Sequence, residues 1–176
     1  MLVLLAAAYV CNARKTPDRN RIQALVNEMR AEARRAGVDP DRETVTLPGI
    51  KVVSDSRIDM VSISGLSMKL GKAISGINKE IPAVRGIKSM LVLDYEECPE
   101  QIRNKFNDKL GRELKGCELL MEAKDGKEKM SIFGNSSADG SRISNIIMFA
   151  PQDGSLICFF GTISADDLAA LVNSEN

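Results

Sequence analysis

The chain has 176 residues, 44% of them hydrophobic and 27% charged, which is typical of a globular domain and excludes a disordered or fibrous protein. Its 24 basic and 24 acidic side chains cancel, so no long-range field draws it to nucleic acid or to an anionic membrane. Aromatic residues make up only 4% of the chain, too few for a platform that stacks bases or sugars. We therefore expect no nucleic-acid partner.

The chain contains no His, and this absence narrows its possible chemistry. His is the usual general base of Ser and Cys hydrolases and the commonest zinc ligand. The Gly134–Gly140 segment has neither the Lys-Ser/Thr pair of a phosphate loop nor the spaced carboxylates of a calcium loop. We therefore predict a protein that is not an enzyme and has no catalytic, cofactor-binding or metal-binding residues.

Residues 1–13 are predicted to be a signal peptide. The apolar run Leu2–Val10 is too short to span a bilayer and has the length of a signal-peptide core. Small residues before a cut after Ala13 fit a cleavage site. Two alternatives stay open: a buried first strand, or lipidation of Cys11, which would anchor the protein to a membrane.

The next segment is predicted to form an amphipathic helix that ends at Gly37, with Thr16 as its N-cap and Pro17 as its first residue. Its apolar face comprises Ile22, Leu25, Val26, Met29, Ala33 and Ala36. A basic cluster accompanies this helix: Arg14, Lys15, Arg19, Arg21, Arg30, Arg34 and Arg35. We interpret the cluster as a solvated surface, with an anion-binding face as the alternative.

The middle of the chain alternates between polar and apolar stretches. Val38–Leu47 is predicted to be a loop, and Ile50–Val53 and Ile58–Ile63 are predicted to be strands. A helix is predicted from Ser64 to about Asn78.

A strongly apolar strand, Ile87–Tyr95, is expected at the centre of the sheet. The helix that follows opens at Cys98-Pro99-Glu100 and ends at Gly116. Its apolar residues recur every fourth position, which predicts one buried face: Ile102, Phe106, Leu110 and Leu114.

Three Asp-Gly pairs recur every 14 residues between Cys117 and Thr162: Asp125-Gly126, Asp139-Gly140 and Asp153-Gly154. Asp-Gly favours tight turns, so this stretch predicts a meander of four antiparallel strands. Its last strand is apolar at every position from Leu156 to Phe160, which indicates a strand that is covered on both sides or placed centrally.

Together these elements predict an α+β fold. A single domain, residues 14–176, would contain one antiparallel sheet of five or six strands, including the C-terminal four-stranded meander. Its helices would pack mainly on one face of the sheet. A short last helix is expected after Ser164, with Leu168, Leu171 and Val172 facing inward.

Three segments, Ile58–Leu70, Ile87–Phe106 and Cys117–Leu171, carry a family resemblance. With their core alternation and turns they resemble the small exported bacterial proteins of the domain of unknown function 4252 family. The resemblance implies an exported α+β domain and supplies no functional residues to transfer.

Cys98, Cys117 and Cys158 remain if the signal peptide is removed. One disulfide with a free thiol and three buried thiols both fit this odd number, so the disulfide pairing stays open. Cys98, at the start of a helix, is expected to have a lowered pKa. Cys117 and Cys158 lie in predicted strands, where we expect them to be buried.

We therefore predict a non-enzymatic protein exported to the periplasm or envelope, which acts by binding an unknown protein partner or by self-association. The alternative is a carrier of a small apolar ligand or lipid, in a pocket between helix and sheet. Methionines that would line such a pocket, or fill the core, include Met60, Met68, Met90, Met121, Met130 and Met148.

Overall fold

The computed structural model describes residues 13–37, 43–55, 57–64, 86–125 and 128–167. Two complete helices lie in these ranges, α1 (Arg19–Arg35) and α2 (Glu100–Leu114), together with the start of a helix after Ser164. The strands are β1 (Glu43–Leu47), β2 (Ile50–Asp55), β3 (Ile58–Ser64), β4 (Ile87–Asp94), β5 (Glu118–Asp125), β6 (Glu128–Ser136), β7 (Arg142–Ala150) and β8 (Ser155–Ser164).

The strands form one sheet in the order β1-β2-β3-β4-β8-β7-β6-β5, and every neighbouring pair is antiparallel. The predicted α+β class and the C-terminal meander are confirmed, and β4 lies at the centre as expected. The prediction of five or six strands is wrong, since the sheet has eight. One of the additional strands is β1, which the polar sequence of Val38–Leu47 had indicated to be a loop.

The turns between the strands explain much of this order. Pro48 and Gly49 separate β1 from β2, so a two-residue connection holds the unexpected strand in place. In the meander, Gly140 and Gly154 adopt positive φ values of 70° and 60° in the turns after β6 and β7, as the Asp-Gly pairs predicted. Gly126, of the Asp125-Gly126 pair, lies outside the described residues.

Helix α1 begins two residues later than predicted. Its N-cap is Asp18, whose Oδ1 accepts a hydrogen bond from the Arg21 backbone N–H at 2.8 Å. The prediction of Thr16 as the cap is wrong because the Thr16 hydroxyl is used elsewhere: it donates to the Asn145 carbonyl at 3.0 Å. The Thr16 backbone N–H donates to Asn135 Oδ1 at 2.8 Å, so the N-terminal segment is anchored to the sheet.

Helix α2 buries the face that the sequence predicted, and it ends before Gly116. It packs beside α1, and ion pairs join the two helices: Lys109 reaches Glu28 at 2.6 Å, and Lys105 reaches Glu32 at 2.7 Å. The hydroxyl of Tyr95, just after β4, donates to Asn107 Oδ1 of α2 at 2.7 Å.

Both helices cover the same face of the sheet, and together they bury the main core. This core includes Leu25 and Val26 of α1, Phe106 and Leu110 of α2, and side chains from five of the strands. The expectation that helices pack mainly on one face is therefore confirmed for the described residues.

Some predictions fall outside the described residues. These are most of the signal peptide with Cys11, the helix from Ser64 to Asn78 with Met68, and the apolar residues of the last helix from Leu168 onward. The start of that last helix is described: Ser164 Oγ accepts a hydrogen bond from the Asp167 backbone N–H at 3.0 Å, as an N-cap does.

Candidate functional site: the second face of the sheet

The face of the sheet opposite α1 and α2 carries two continuous rows of apolar side chains. The pairing register aligns one row across all eight strands: Val45, Val52, Val61, Val92, Ile157, Met148, Ile132 and Met121. The second row crosses six strands: Leu47, Ile50, Ile63, Met90, Phe159 and Ile146. We call these two rows the apolar band.

The band arises from strict alternation within each strand. In β8, Leu156 and Cys158 point into the helix-covered core, while Ile157 and Phe159 point to the second face. The apolar run Leu156–Phe160 predicted a strand covered on both sides or placed centrally, and the central placement is confirmed, since β8 lies between β4 and β7. Each strand supplies one or two such residues, and the register joins them into a surface.

The band is only partly protected from solvent. Ile132 and Ile146 are buried, most of the other members are half-buried, and Val45 and Leu47 at the β1 edge are 46% and 54% exposed. The second cluster of apolar side chains, which lies on this face, contains no residue from α1 or α2. Neither α1 nor α2 therefore covers the band, and the described start of the last helix contributes only Ala165 to this face. Apolar surface that remains partly accessible and is continuous across a sheet often marks an interaction site.

Charged residues flank the band along β4. Burial alternates along this strand, so that Lys88, Met90, Val92 and Asp94 share the second face. Lys88 and Asp94 are exposed and lie at opposite ends of the strand. The band consequently has a basic side and an acidic side.

Methionines occur on both faces. Met60 is buried in the helix-covered core, whereas Met121, Met130 and Met148 pack in the second cluster and are half-buried. Between the two helices, a crevice lined by side chains such as Leu25 and Phe106 has a volume of about 10 Å³. A volume of this size admits about one water molecule, so this crevice is too small for a carried ligand.

The three described cysteines are free thiols. Burial in the core raises the pKa of Cys98, so the expected lowering of its pKa at the start of α2 is wrong. The reason is that Cys98 packs inside the fold, and the N-cap of α2 is Pro99. Complete burial also raises the pKa of Cys158 in β8. Cys117 lies just before β5 and is half-buried, and burial again raises its pKa.

The sequence indicates the apolar character of individual strands but does not indicate the band. Val45 and Leu47 belong to a strand predicted to be a loop, and alignment between strands depends on register. The sequence signals for a second apolar face were the continuous apolar runs of β4 and β8, at Met90–Leu93 and Leu156–Phe160.

Comparison with known proteins identifies a family and no individual relative. A family model described as "Domain of unknown function (DUF4252)" matches residues 53–171. No curated protein and no solved structure matches the chain. In the part of the chain that the structure describes, no helix is long and apolar enough to cross a membrane. No three or more Cys, Asp or Glu side chains within these same ranges are placed to hold a metal ion.

Proposed function

Given that the chain belongs to the domain of unknown function 4252 family, we propose that it is a non-enzymatic, exported binding module that docks a second copy of itself through the apolar band. The observation that carries the proposal is the continuous register of apolar side chains on a face that neither α1 nor α2 covers. Two such faces packed together would form a sandwich, in which aligned sheets lie about 10 Å apart.

The size of the band suits a reversible dimer. Strands lie about 4.8 Å apart and same-face residues recur about every 7 Å along a strand, so one row across eight strands and a second across six cover about 500 Å². A stable interface takes about 800 Å² from each partner. The band would therefore supply somewhat more than half of that area, its polar flanks would have to supply the rest, and the half-buried members gain protection from water in the dimer.

The flanking charges favour a second copy over an unrelated apolar surface. A two-fold axis that runs across the strands would bring Lys88 of one copy beside Asp94 of the other, twice in each dimer. Opposite charges at the rim orient a docking face and disfavour wrong registers.

The absence of catalysis is part of the proposal. Its support is the lack of any His in the chain, together with thiols whose pKa values are raised by burial at Cys98 and Cys158. A raised pKa keeps a thiol protonated and therefore poorly nucleophilic.

Export is supported by the hydrogen bond that the backbone of Arg14, the first residue after the predicted cleavage site, makes with the rest of the fold. The Arg14 backbone N–H donates to the Gly116 carbonyl at 2.7 Å, just beyond the end of α2. Cleavage after Ala13 would place a new amino group there, where the end of a helix favours positive charge. Protein isolated from its native envelope is expected to begin at Arg14 by intact mass. A chain that still begins at Met1 would contradict export.

The dimer is tested by sedimentation over about 1 to 100 µM protein, the range of weak interfaces. Val92→Asp places a charge at the centre of the band, and Val45→Asp does so at its exposed edge, where folding tolerates it. Both changes should weaken the dimer at least about tenfold. The matched control is Gln101→Asp, on the exposed side of α2. A parent protein that is monomeric throughout, or an equal effect of the control, refutes the proposal.

The half-buried methionines of the same face favour a second candidate function, binding of an apolar ligand. Met adapts its shape to varied ligands, and Met121, Met130 and Met148 lie together in the second cluster. Native mass spectrometry of freshly purified protein distinguishes the two candidates. Added mass that disappears on denaturation indicates a ligand, and a mass of two chains indicates the dimer.

A further inference from the structure

A polar cleft lies on the helix-covered side, between α1 and the first three strands. Its volume is about 310 Å³, at the lower end of the range for small-molecule sites. The side chains of Arg19, Gln23 and Asn27 recur every four residues and form one wall on α1. The opposite wall comes from the sheet and includes Lys51 of β2 with Ser62 and Ser64 of β3.

The two cations of this polar cleft form no ion pair with a described carboxylate, unlike several other cations of the fold. Arg14 and Arg21 pair with Glu113 at the far side of α1, and the lysines of α2 pair with α1 carboxylates. None of the ion pairs among the described residues includes Arg19 or Lys51. No Asp or Glu is among the described residues that line the polar cleft.

The arginine is also held in place. Its Nη2 donates to Ser62 Oγ at 3.1 Å, and this hydroxyl belongs to a buried serine. Gln23 is fixed on the same side by its contact with Met60 Sδ at 3.6 Å. Groups that are positioned before binding lose less conformational freedom when a ligand arrives.

From this arrangement we infer that the polar cleft binds a phosphomonoester, with Arg19 and Lys51 as its two cationic contacts. The polar cleft is lined from both sides, by α1 and by the sheet. It offers a guanidinium, an ammonium, hydroxyls and side-chain amides, and therefore many donors and a double positive charge. A phosphomonoester carries up to two negative charges and three terminal oxygens that accept hydrogen bonds. A carboxylate offers half the charge and only two oxygens. The cleft volume also leaves room for a small organic group beyond the phosphate.

The inference is independent of the apolar band and of dimer formation. For Arg19, the inference favours the anion-binding interpretation of the basic cluster. Arg19 alone among these arginines lines the polar cleft. Arg19 and Lys51 also precede residues 53–171. The cationic part of the site is therefore a feature of this chain beyond the part that the family model matches.

Isothermal titration calorimetry with glycerol 3-phosphate, inorganic phosphate and acetate tests the inference on the full chain. We expect glycerol 3-phosphate to bind, phosphate to bind more weakly and acetate not to compete. Arg19→Gln and Lys51→Gln should each weaken binding about tenfold or more, because each removes a charged hydrogen bond. Arg34→Gln, an equal change of charge at an exposed position of α1, should change binding less than about twofold.

Binding measurements with vesicles that contain or lack phosphatidic acid distinguish two sources of the phosphomonoester, a lipid headgroup and a soluble metabolite. Binding to phosphatidic acid that glycerol 3-phosphate displaces, and that Arg19→Gln abolishes, assigns a lipid headgroup. Binding of free glycerol 3-phosphate alone assigns a soluble metabolite. Each variant is checked for an unchanged circular dichroism spectrum before titration. No binding of any phosphate by the parent protein, tighter binding of acetate, or an equal loss in Arg34→Gln overturns the inference.

Discussion

The contact between Gly86 and the β8 backbone leads to a prediction with a calculable size. Gly86 lies just before β4, and its carbonyl accepts a hydrogen bond from the Thr162 backbone N–H at 3.0 Å. A Cβ placed on Gly86 would lie 1.7 Å from the Thr162 carbonyl oxygen. Because that oxygen is backbone, no side-chain rotation relieves the clash, and Gly86→Ala must push the two strands apart.

The required movement sets the expected cost. A normal van der Waals distance between the new Cβ and the Thr162 carbonyl oxygen requires the strands to separate by more than about 1 Å. That movement makes the Thr162–Gly86 donor–acceptor distance too long for a hydrogen bond. Losing that bond costs about 1 kcal/mol, and the accompanying strain adds about 1 to 3 kcal/mol. We expect Gly86→Ala to lower the free energy of unfolding by about 2 to 4 kcal/mol and Tm by about 5 to 15 °C.

Gly111 provides the matched control. It lies within α2, and a Cβ added there meets nothing within 4 Å. Gly111→Ala should therefore stabilise the fold by about 0.5 to 1 kcal/mol, through helix propensity alone. Urea unfolding followed by circular dichroism measures both variants. A Gly86→Ala protein as stable as the parent would show that the strands do not approach as described.

Three further predictions concern stability and reactivity. Tyr95→Phe removes a buried hydroxyl and its hydrogen bond to α2, so urea unfolding should show a loss of about 1 to 2 kcal/mol; an unchanged midpoint would contradict the bond. The hydrogen bond from Lys105 lowers the pKa of Glu32 from its ordinary 4.5. The ion pair therefore stabilises the fold at pH values above 4.5, the ordinary pKa of Glu32. This stabilisation is lost as pH falls through the lowered pKa that Glu32 has in the folded protein. Glu32→Gln should show a smaller fall in Tm between about pH 6 and pH 3 than the parent, and an equal fall would refute the pairing. Cys98 and Cys158 should resist alkylation in the native protein at about pH 8 and react only in denaturant, as peptide mass spectrometry would show. Rapid native labelling of either would contradict its burial.

Local signals were sufficient to predict the C-terminal half of the fold. Each hairpin of the meander depends on turn residues and alternation within a short stretch, and these are visible in the sequence. The same holds for α2, whose apolar residues repeat every four positions. For such elements the sequence neighbours are also the structural neighbours.

Features that depend on distant partners were not predictable in the same way. Thr16 has the side chain of a good N-cap, and only the presence of Asn135 and Asn145 nearby in space explains its different use. Arg19 and Lys51 share the polar cleft because α1 lies over the first strands. Nothing within either segment indicates the other, since the residues meet only after the helix has packed on the sheet.

The single ladder between β4 and β8 has a consequence for the route of folding. All other neighbouring pairs in the sheet are consecutive strands, which makes β1–β4 and β5–β8 two separate meanders joined along this one seam. Closing the seam pairs two strands of the sheet that are not consecutive in the chain, and such contacts form slowly because long loops must first be ordered. We expect the hairpins to form early and the seam to set the folding rate. When Leu91 aligns with Cys158, both apolar layers of the sheet become continuous in the same step.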